Sequence, residues 1–430
     1  MLAPVPMTAM PAGETAMDLV GQYRSVVILS SFLAFVMAAA APAPALAATK
    51  TLVVEAGKYA RANVPMSVAL PGGATKARMM DGAKEVPCQV LDGRLWWVLD
   101  GLDAGAARTY TVEPGADSAA DAKAVEMKQD KETLEIAIDG NPFTTYSFGN
   151  PLVGRIQIRR PYFYPVLGPD QTEMTRAWPM VENVPPGVVK DHPHHTSLWV
   201  AFGEVNHTDN WSADAKAGWQ LHKSFEAVTS GPVVGAFRET LDWTSAAKEP
   251  NLAEVRTVRV YRLPPSIRIL DLEVAFQAKY GPAVFGDTKE GGPCASRMRQ
   301  EFVSEKGGRG RLVNAQGLTG AALWGKKSEW VDCSGPIEGK TYGYAIFDTP
   351  GNLRYPTRWH SRPYGLHAPN SFGAAAFEKG AEKGDHTLET GKNLTLRWRL
   401  YFHTGDEKEG QVAARYADYA EPPKAEWISR

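Results

Sequence analysis

Cysteine, helical periodicity and surplus charge of either sign are all scarce in this 430-residue sequence, and each scarcity removes a class of protein. The three cysteines, Cys88, Cys294 and Cys333, allow one bridge at most and leave an odd thiol, which excludes a disulfide scaffold. Cys294 with Cys333 is the pair expected if a bridge forms. Lysine plus arginine (47) almost equals aspartate plus glutamate (48), so there is no basic excess to neutralise phosphates, and nucleic acid is not expected as a partner. Neither His-Glu-x-x-His nor Cys-x-x-Cys occurs, and no cofactor is expected. Beyond one run near the N-terminus, no stretch is apolar over the roughly 20 residues that span a bilayer.

That one run is short and rich in small residues. Arg24 precedes Ser25 to Ala40, and Ala45-Leu46-Ala47 supplies a small-x-small cleavage site, the order of a signal peptide over residues 1–47. The expectation is export, to the periplasm or beyond. The remaining chain is long enough for two domains and a large core.

What is present is strand pattern. Residues 48–115 carry short apolar runs such as Leu95-Trp96-Trp97-Val98-Leu99, punctuated by Gly72-Gly73, Asp81-Gly82 and Asp92-Gly93. That spacing predicts a small β-sandwich. Residues 116–124 read as a linker. From 125 to 430, Leu270, Leu272, Val274 and Phe276 alternate with polar residues, as do Leu394, Leu396, Trp398, Leu400 and Phe402. Period-two alternation means half-buried strands, here enough for a large antiparallel supersandwich. The fold expected is therefore mainly β, with one helix near Gly410 to Tyr419 stopped by Pro422-Pro423.

Chemistry concentrates in three places. Asp191-His192-Pro193-His194-His195 opens a stretch that also holds Trp199, Asn206 and Trp211. Pro193 favours extension of His192, which would put His192 and His194 on one face and His195 on the other. Two imidazoles on one face could bind a metal, exchange protons or grip sugar hydroxyls. A metal would also need His360 or other distant ligands, because His-x-His supplies only two. The second place is Phe285-Gly286-Asp287-Thr288-Lys289-Glu290-Gly291-Gly292, followed by Arg297. It presents Asp287, Lys289 and Glu290 on a tight loop. The third is Trp359-His360-Ser361-Arg362-Pro363-Tyr364, leading to Asn370, where Arg362 suits bidentate capture of a carboxylate.

These motifs, with Gly203-Glu204-Val205-Asn206, Tyr364-Gly365-Leu366 and Asn370-x-Phe372-Gly373, resemble an uncharacterised bacterial family often labelled PmoA or methane-oxygenase-like. The resemblance covers about 130 to 405. The label implies a copper membrane oxygenase subunit, whereas this sequence has no membrane span beyond the leader. Family members look like secreted proteins of polysaccharide-degrading bacteria, and the β-rich region is similar in pattern to galactose-mutarotase-like supersandwiches. The family pattern has Arg-Gly after the paired histidines and Arg-Asp in the third motif. Here Thr196-Ser197 and Arg362-Pro363 stand instead.

Twelve tryptophans and fifteen tyrosines in an exported β protein point to a carbohydrate or sugar-acid ligand. The expected site has His192, His194, Glu290 and His360 as proton-exchanging residues. His195, Trp199, Asn206, Asp287, Lys289, Arg297, Trp359, Arg362, Tyr364 and Asn370 would bind substrate. The reaction would be that of a lyase, hydrolase or epimerase. The alternatives are a metal-dependent oxidoreductase on His192, His194 and His360, or a carbohydrate-binding module without catalysis. Oligomeric state is not readable.

Overall fold

Strands dominate because the alternating runs have two large sheets to face. The computed structural model describes residues 48–119, 123–305 and 307–428. The expected leader, 1–47, and residues 120–122 of the expected linker lie outside them. One antiparallel sheet runs in the order Leu366–His367, Gly291–Arg297, Leu198–Phe202, Tyr162–Val166, Asn141–Ser147, Thr133–Ile138 and Val125–Gln129. The facing eight-stranded sheet runs Trp219–Thr229, Val234–Thr244, Pro250–Tyr261, Ile267–Gln277, Asn393–Thr404, Lys340–Asp348, Trp330–Ile337 and Arg311–Asn314. Leu134, Ile136, Phe143, Leu198 and Val200 from the first meet Leu270, Leu272, Leu396, Trp398 and Leu400 from the second in one buried core. The protein is a mainly β sandwich, as the alternation predicts.

The strands of the larger sheet are more than half-buried. In Asn393–Thr404, the even-numbered Leu396, Trp398, Leu400 and Phe402 face the smaller sheet, while Arg399 and Tyr401 on the other face are buried too. Two elements cover that outer face. Helix Val412–Ala420 lays Val412, Tyr416 and Tyr419 on it, beside Leu91, Trp96 and Val98 of the N-terminal strands. Those N-terminal strands form a second sandwich of five and three strands with its own core, Leu52, Val54, Leu95, Trp97, Tyr110 and Val112. The last strand of the chain, Lys424–Ile428, returns to pair with Lys50–Glu55 in this first sandwich.

Cys294 and Cys333 do not pair; all three cysteines are free and buried. The two lie in strands of opposite sheets, which pack roughly 10 Å apart, beyond the roughly 7 Å Cα reach of a disulfide.

A charged network is sealed between the large sheets. Arg256 donates to both oxygens of Glu254 (2.7 and 3.0 Å), to the Tyr146 hydroxyl (2.9 Å) and to Gln220 (3.3 Å). Tyr146 in turn donates to Glu239, which also holds His222 Nδ1 at 2.6 Å. Gln220 Nε2 reaches the Val200 carbonyl at 2.8 Å, tying the network to strand Leu198–Phe202 beside the bulge between Trp199 and Ala201. Removing the cation would leave two buried carboxylates without it. Arg256→Met is expected to cost about 3–5 kcal/mol of unfolding free energy, with partial recovery in Arg256→Met/Glu254→Gln. Urea denaturation of both variants measures it, and a loss below about 1 kcal/mol would mean that the network is solvated.

Candidate functional site

Three neighbouring strands bring the three motifs together. Leu198 pairs with Ser296 and Phe202 with Gly291, while Ser296 and Arg297 pair with His367 and Leu366. The histidine loop therefore sits at one end of Leu198–Phe202 and Glu290 at the other, with the third motif alongside. Glycine makes this approach feasible. A Cβ at Gly292 would lie 1.9 Å from the Pro369 carbonyl oxygen, and one at Gly203 would lie 2.5 Å from that of Glu290. No other residue type fits those positions without moving backbone.

A cavity of about 690 Å³ lies over the outer face of these strands. It is lined by eight of the residues expected from sequence: His192, His194, His195, Lys289, Glu290, His360, Arg362 and Tyr364. Six others serve the scaffold. Trp199 and Trp359 are buried in the cores, and Trp359 Nε1 donates to the Ser328 carbonyl at 2.8 Å. Neither offers a ring face to a sugar. Asn206 links the Pro282 carbonyl and the Val284 amide. Asp287 accepts from the amides of Ala375, Ala376 and Gly384, and Asn370 from those of Phe372 and Gly373. Arg297 lines a neighbouring cavity of about 590 Å³ and reaches the site through His195, Asp191 and Tyr364. Sequence reasoning missed Asp209, Trp211, Ser212, Thr288 and Trp324, which also line the cavity. Asp209 and Trp211 belong to the histidine stretch, but Trp324 lies in a segment with no motif.

The histidine segment is not extended. His192 adopts a left-handed φ of 46°, and the His195 amide donates back to the His192 carbonyl at 3.0 Å, closing a turn with Pro193 in its second position. All three rings consequently face one cavity. Arg176 clamps the turn by donating to the carbonyls of Val189, Asp191 and His192 (3.2, 2.9 and 3.2 Å) and to the Asp191 carboxylate. Arg297 donates to the same carboxylate at 2.8 Å. Burial would raise the Asp191 pKa, but the two guanidiniums hold it below the usual carboxylate range. His192 Nδ1 is 3.0 Å from Asp191 Oδ2 but is not aligned to hydrogen-bond it.

Burial also sets the charge of the histidines. His194 is pushed down to about 3 by desolvation, with Arg160 and His192 adding to it and Asp209 opposing. His360 falls to about 4 by desolvation, against the pull of Glu290 and with the help of Lys289 and Arg362. Both are neutral at pH 7. Glu290 is ion-paired with Lys289. Asp209 Oδ1 takes the amides of Trp211 and Ser212 at 2.7 and 3.0 Å. Trp211 Nε1 and His360 Nδ1 are buried without a hydrogen-bond partner among the described residues. The Arg362 guanidinium lies 5.5 Å from the Trp324 ring and 5.8 Å from that of Tyr364, and has no ion pair among the described residues. The cavity thus holds unpaired donors and neutral imidazoles. His192, His194 and His360 are not gathered as a ligand set: among the described residues no three His, Cys, Asp or Glu side chains could hold a metal ion together. No helix among them is long and apolar enough to cross a membrane.

Neutral buried histidines have a consequence for stability. The unfolded chain protonates them near pH 6.5, whereas the folded protein does so only near 4 for His360 and 3 for His194. Below pH 6.5 the unfolded state binds more protons, so stability falls with pH by at most roughly 1.4 kcal/mol per unit per histidine. His360→Asn should therefore lose less stability than the parent between pH 7 and pH 5, as read from denaturation midpoints. Equal losses would mean that His360 is protonated in the fold.

Among known proteins, no curated sequence matches the chain. Solved structures give distant likenesses. A galactose mutarotase related enzyme from Lactobacillus acidophilus shares 10% identity over 65% of this chain and 97% of its own, with a TM-score of 0.25. The Slr1438 protein from Synechocystis sp. PCC 6803 shares 9% identity over 67% and 99%, with a TM-score of 0.29. Scores this low identify no chemistry, and the fold rests on the strand pairings given above. The matching family's description names no activity, methane oxygenation included. Its match runs over residues 133–417, most of the chain and all three motifs, and the protein belongs to this family of unknown function, DUF6807.

Proposed function

We propose that the protein is an exported, carbohydrate-directed enzyme that abstracts a proton from a sugar acid, as a lyase or epimerase of uronic-acid glycosides. One observation carries the reading: neutral His194 and His360, Glu290 and an unpaired Arg362 all line a single cavity. A guanidinium with no carboxylate of its own suits the planar carboxylate of a uronate, which it can bind by two parallel hydrogen bonds. That contact matters for reactivity as well as affinity. When a base removes the proton on the carbon next to a carboxylate, negative charge develops on the carboxylate oxygens, where Arg362 would meet it.

The base must be unprotonated at the working pH. His360 and His194 meet that condition because burial holds them low. His360 lies by Glu290 and Lys289, and His194 by Asp209, which gives bases on two walls. In an elimination one wall would take the carbon proton, and a protonated partner would give one to the leaving oxygen. In an epimerisation the proton would return to the opposite face of the carbon. Hydrolysis fits less well, because its oxocarbenium-like transition state builds positive charge on the sugar ring and no negative charge on the carboxylate that Arg362 would meet.

A panel of uronate and neutral oligosaccharides, followed by absorbance of an unsaturated product and by chromatography, tests the reading. Loss of the base in His360→Ala should lower kcat by about 10²–10⁴-fold. Arg362→Lys should weaken uronate turnover well beyond that of any neutral analogue; an equal effect on both removes Arg362 from the carboxylate. Binding without product at high enzyme load would make the protein a carbohydrate-binding module. Activity abolished by a chelator and restored by one metal would support the oxidoreductase instead.

A further inference from the structure

His195 is enclosed on every side but one. Its ring stacks between His192, with centroids 4.8 Å apart and planes 9° from parallel, and Trp199, at 5.3 Å and 22°. His194 and Trp211 close the flanks edge-on at 4.5 and 5.7 Å. Arg297 Nη1 lies 3.1 Å from Nδ1. A guanidinium offers only N–H donors and does not lose its proton in proteins, so Nδ1 is the acceptor. In the neutral ring the proton must then sit on Nε2. The tautomer follows from the partner's chemistry rather than from a placed hydrogen.

Arg297 cannot easily turn away from this task. Its Nη2 is held by both oxygens of Asp191, at 2.8 and 3.2 Å, and its guanidinium covers Tyr364 at 4.8 Å. The groups that face His195 also resist a second proton on it. Desolvation comes first, then His194, Arg297, His192 and Arg176, while the Asp191 carboxylate is already shared by two arginines and Asp209 acts on His194. Nε2 has no protein partner among the described residues, and His195 lines the cavity. The edge left open is the donor edge.

We infer that Arg297 is a positioning residue that fixes His195 as a permanent Nε2–H donor, and that this donor binds an acceptor oxygen of the ligand instead of exchanging protons. The nature of that oxygen, a sugar hydroxyl, ring or carboxylate oxygen, rests on the carbohydrate reading; the tautomer does not. His195 would thereby differ in role from His194 and His360, although all three line one cavity.

Long-range ¹H–¹⁵N spectra of the full chain labelled at histidine nitrogen, recorded from pH 5 to 8, test this without a substrate. His195 signals are assigned by their loss in His195→Gln. The expected result is a protonated Nε2 and an unprotonated Nδ1 across the whole range. Arg297→Met should admit the other tautomer or let His195 titrate within that range. In sugar binding, His195→Gln, which keeps an N–H near the same place, should hold most of the affinity, while His195→Ala should lose about tenfold. A proton on Nδ1 in the parent, titration above pH 5, or an unchanged spectrum in Arg297→Met overturns the inference. If Arg297→Met does not fold, the parent spectrum decides alone. If the tautomer is as stated while no sugar shifts any signal of the site, the donor assignment stands and the carbohydrate reading falls.

Discussion

The site depends on one carboxylate shared by two buried guanidiniums. Asp191 accepts from both Arg176 and Arg297, which are almost entirely buried. Two desolvated cations for one anion is a costly arrangement, and the cost is visible in the arginines. Burial lowers both, the charge of Arg297 lowers Arg176 further, and Arg176 falls to about 10. What the arrangement achieves is double. The cations fix a turn whose His192 has a left-handed backbone, a conformation that side chains with a Cβ rarely adopt. Burial first, and then their unbalanced positive charge, keep His195 unprotonated. The same contacts that shape the loop therefore determine its chemistry.

A rigid sheet carries this loop, and its rigidity has a separate source. Leu198–Phe202 bulges between Trp199 and Ala201, which takes Val200 out of regular pairing with Gly291–Arg297. Its carbonyl is met from below by Gln220, itself held by Arg256 within the buried network. A backbone carbonyl left unmet in the interior would cost about 1–3 kcal/mol. The polar network between the sheets thus satisfies an acceptor close under the site. Above it, Gly203 and Gly292 allow neighbouring backbones to approach closely. Bulge, network and glycines act on different sides of one strand.

Much of this was legible in the sequence. Alternation at Leu270 to Phe276 and at Leu394 to Phe402 identified strands, and the helix near Val412 had both a face and a proline stop. Eight expected residues line the cavity because their motifs are attached to strands that pair. What failed did so for physical reasons. Leu198-Trp199-Val200-Ala201-Phe202 is apolar on both faces, so nothing in it says which face a ligand could reach, and Trp199 is core. Pro193 disfavours helix in His192 but does not forbid a left-handed turn, and Arg176, sixteen residues upstream of His192, stabilises that turn. Asn370 does what short polar side chains commonly do near turns and bonds local backbone, whereas Asn206 and Asp287 bond backbone 78 and 88 positions away, at Val284 and Ala375, which no local pattern announces. Trp324 reaches the cavity from a segment whose sequence carries no signal at all.

Burial explains why three histidines that line one cavity need not share one role. Each loses the solvation that would favour its charged form, yet each meets different company. His194 faces Asp209 and His360 faces Glu290, so each has an anion that could receive or stabilise a proton passed through the ring. His195 faces Arg297, which donates and accepts nothing. A ring held by a donor cannot relay, because relay requires each nitrogen to change places between donor and acceptor. A ring beside a carboxylate can. The division between proton-moving and donor-only histidines is therefore drawn by the partner of each ring and not by position along the chain. That is why His194 and His195, adjacent in sequence and 4.5 Å apart between ring centroids, can act differently in one cavity.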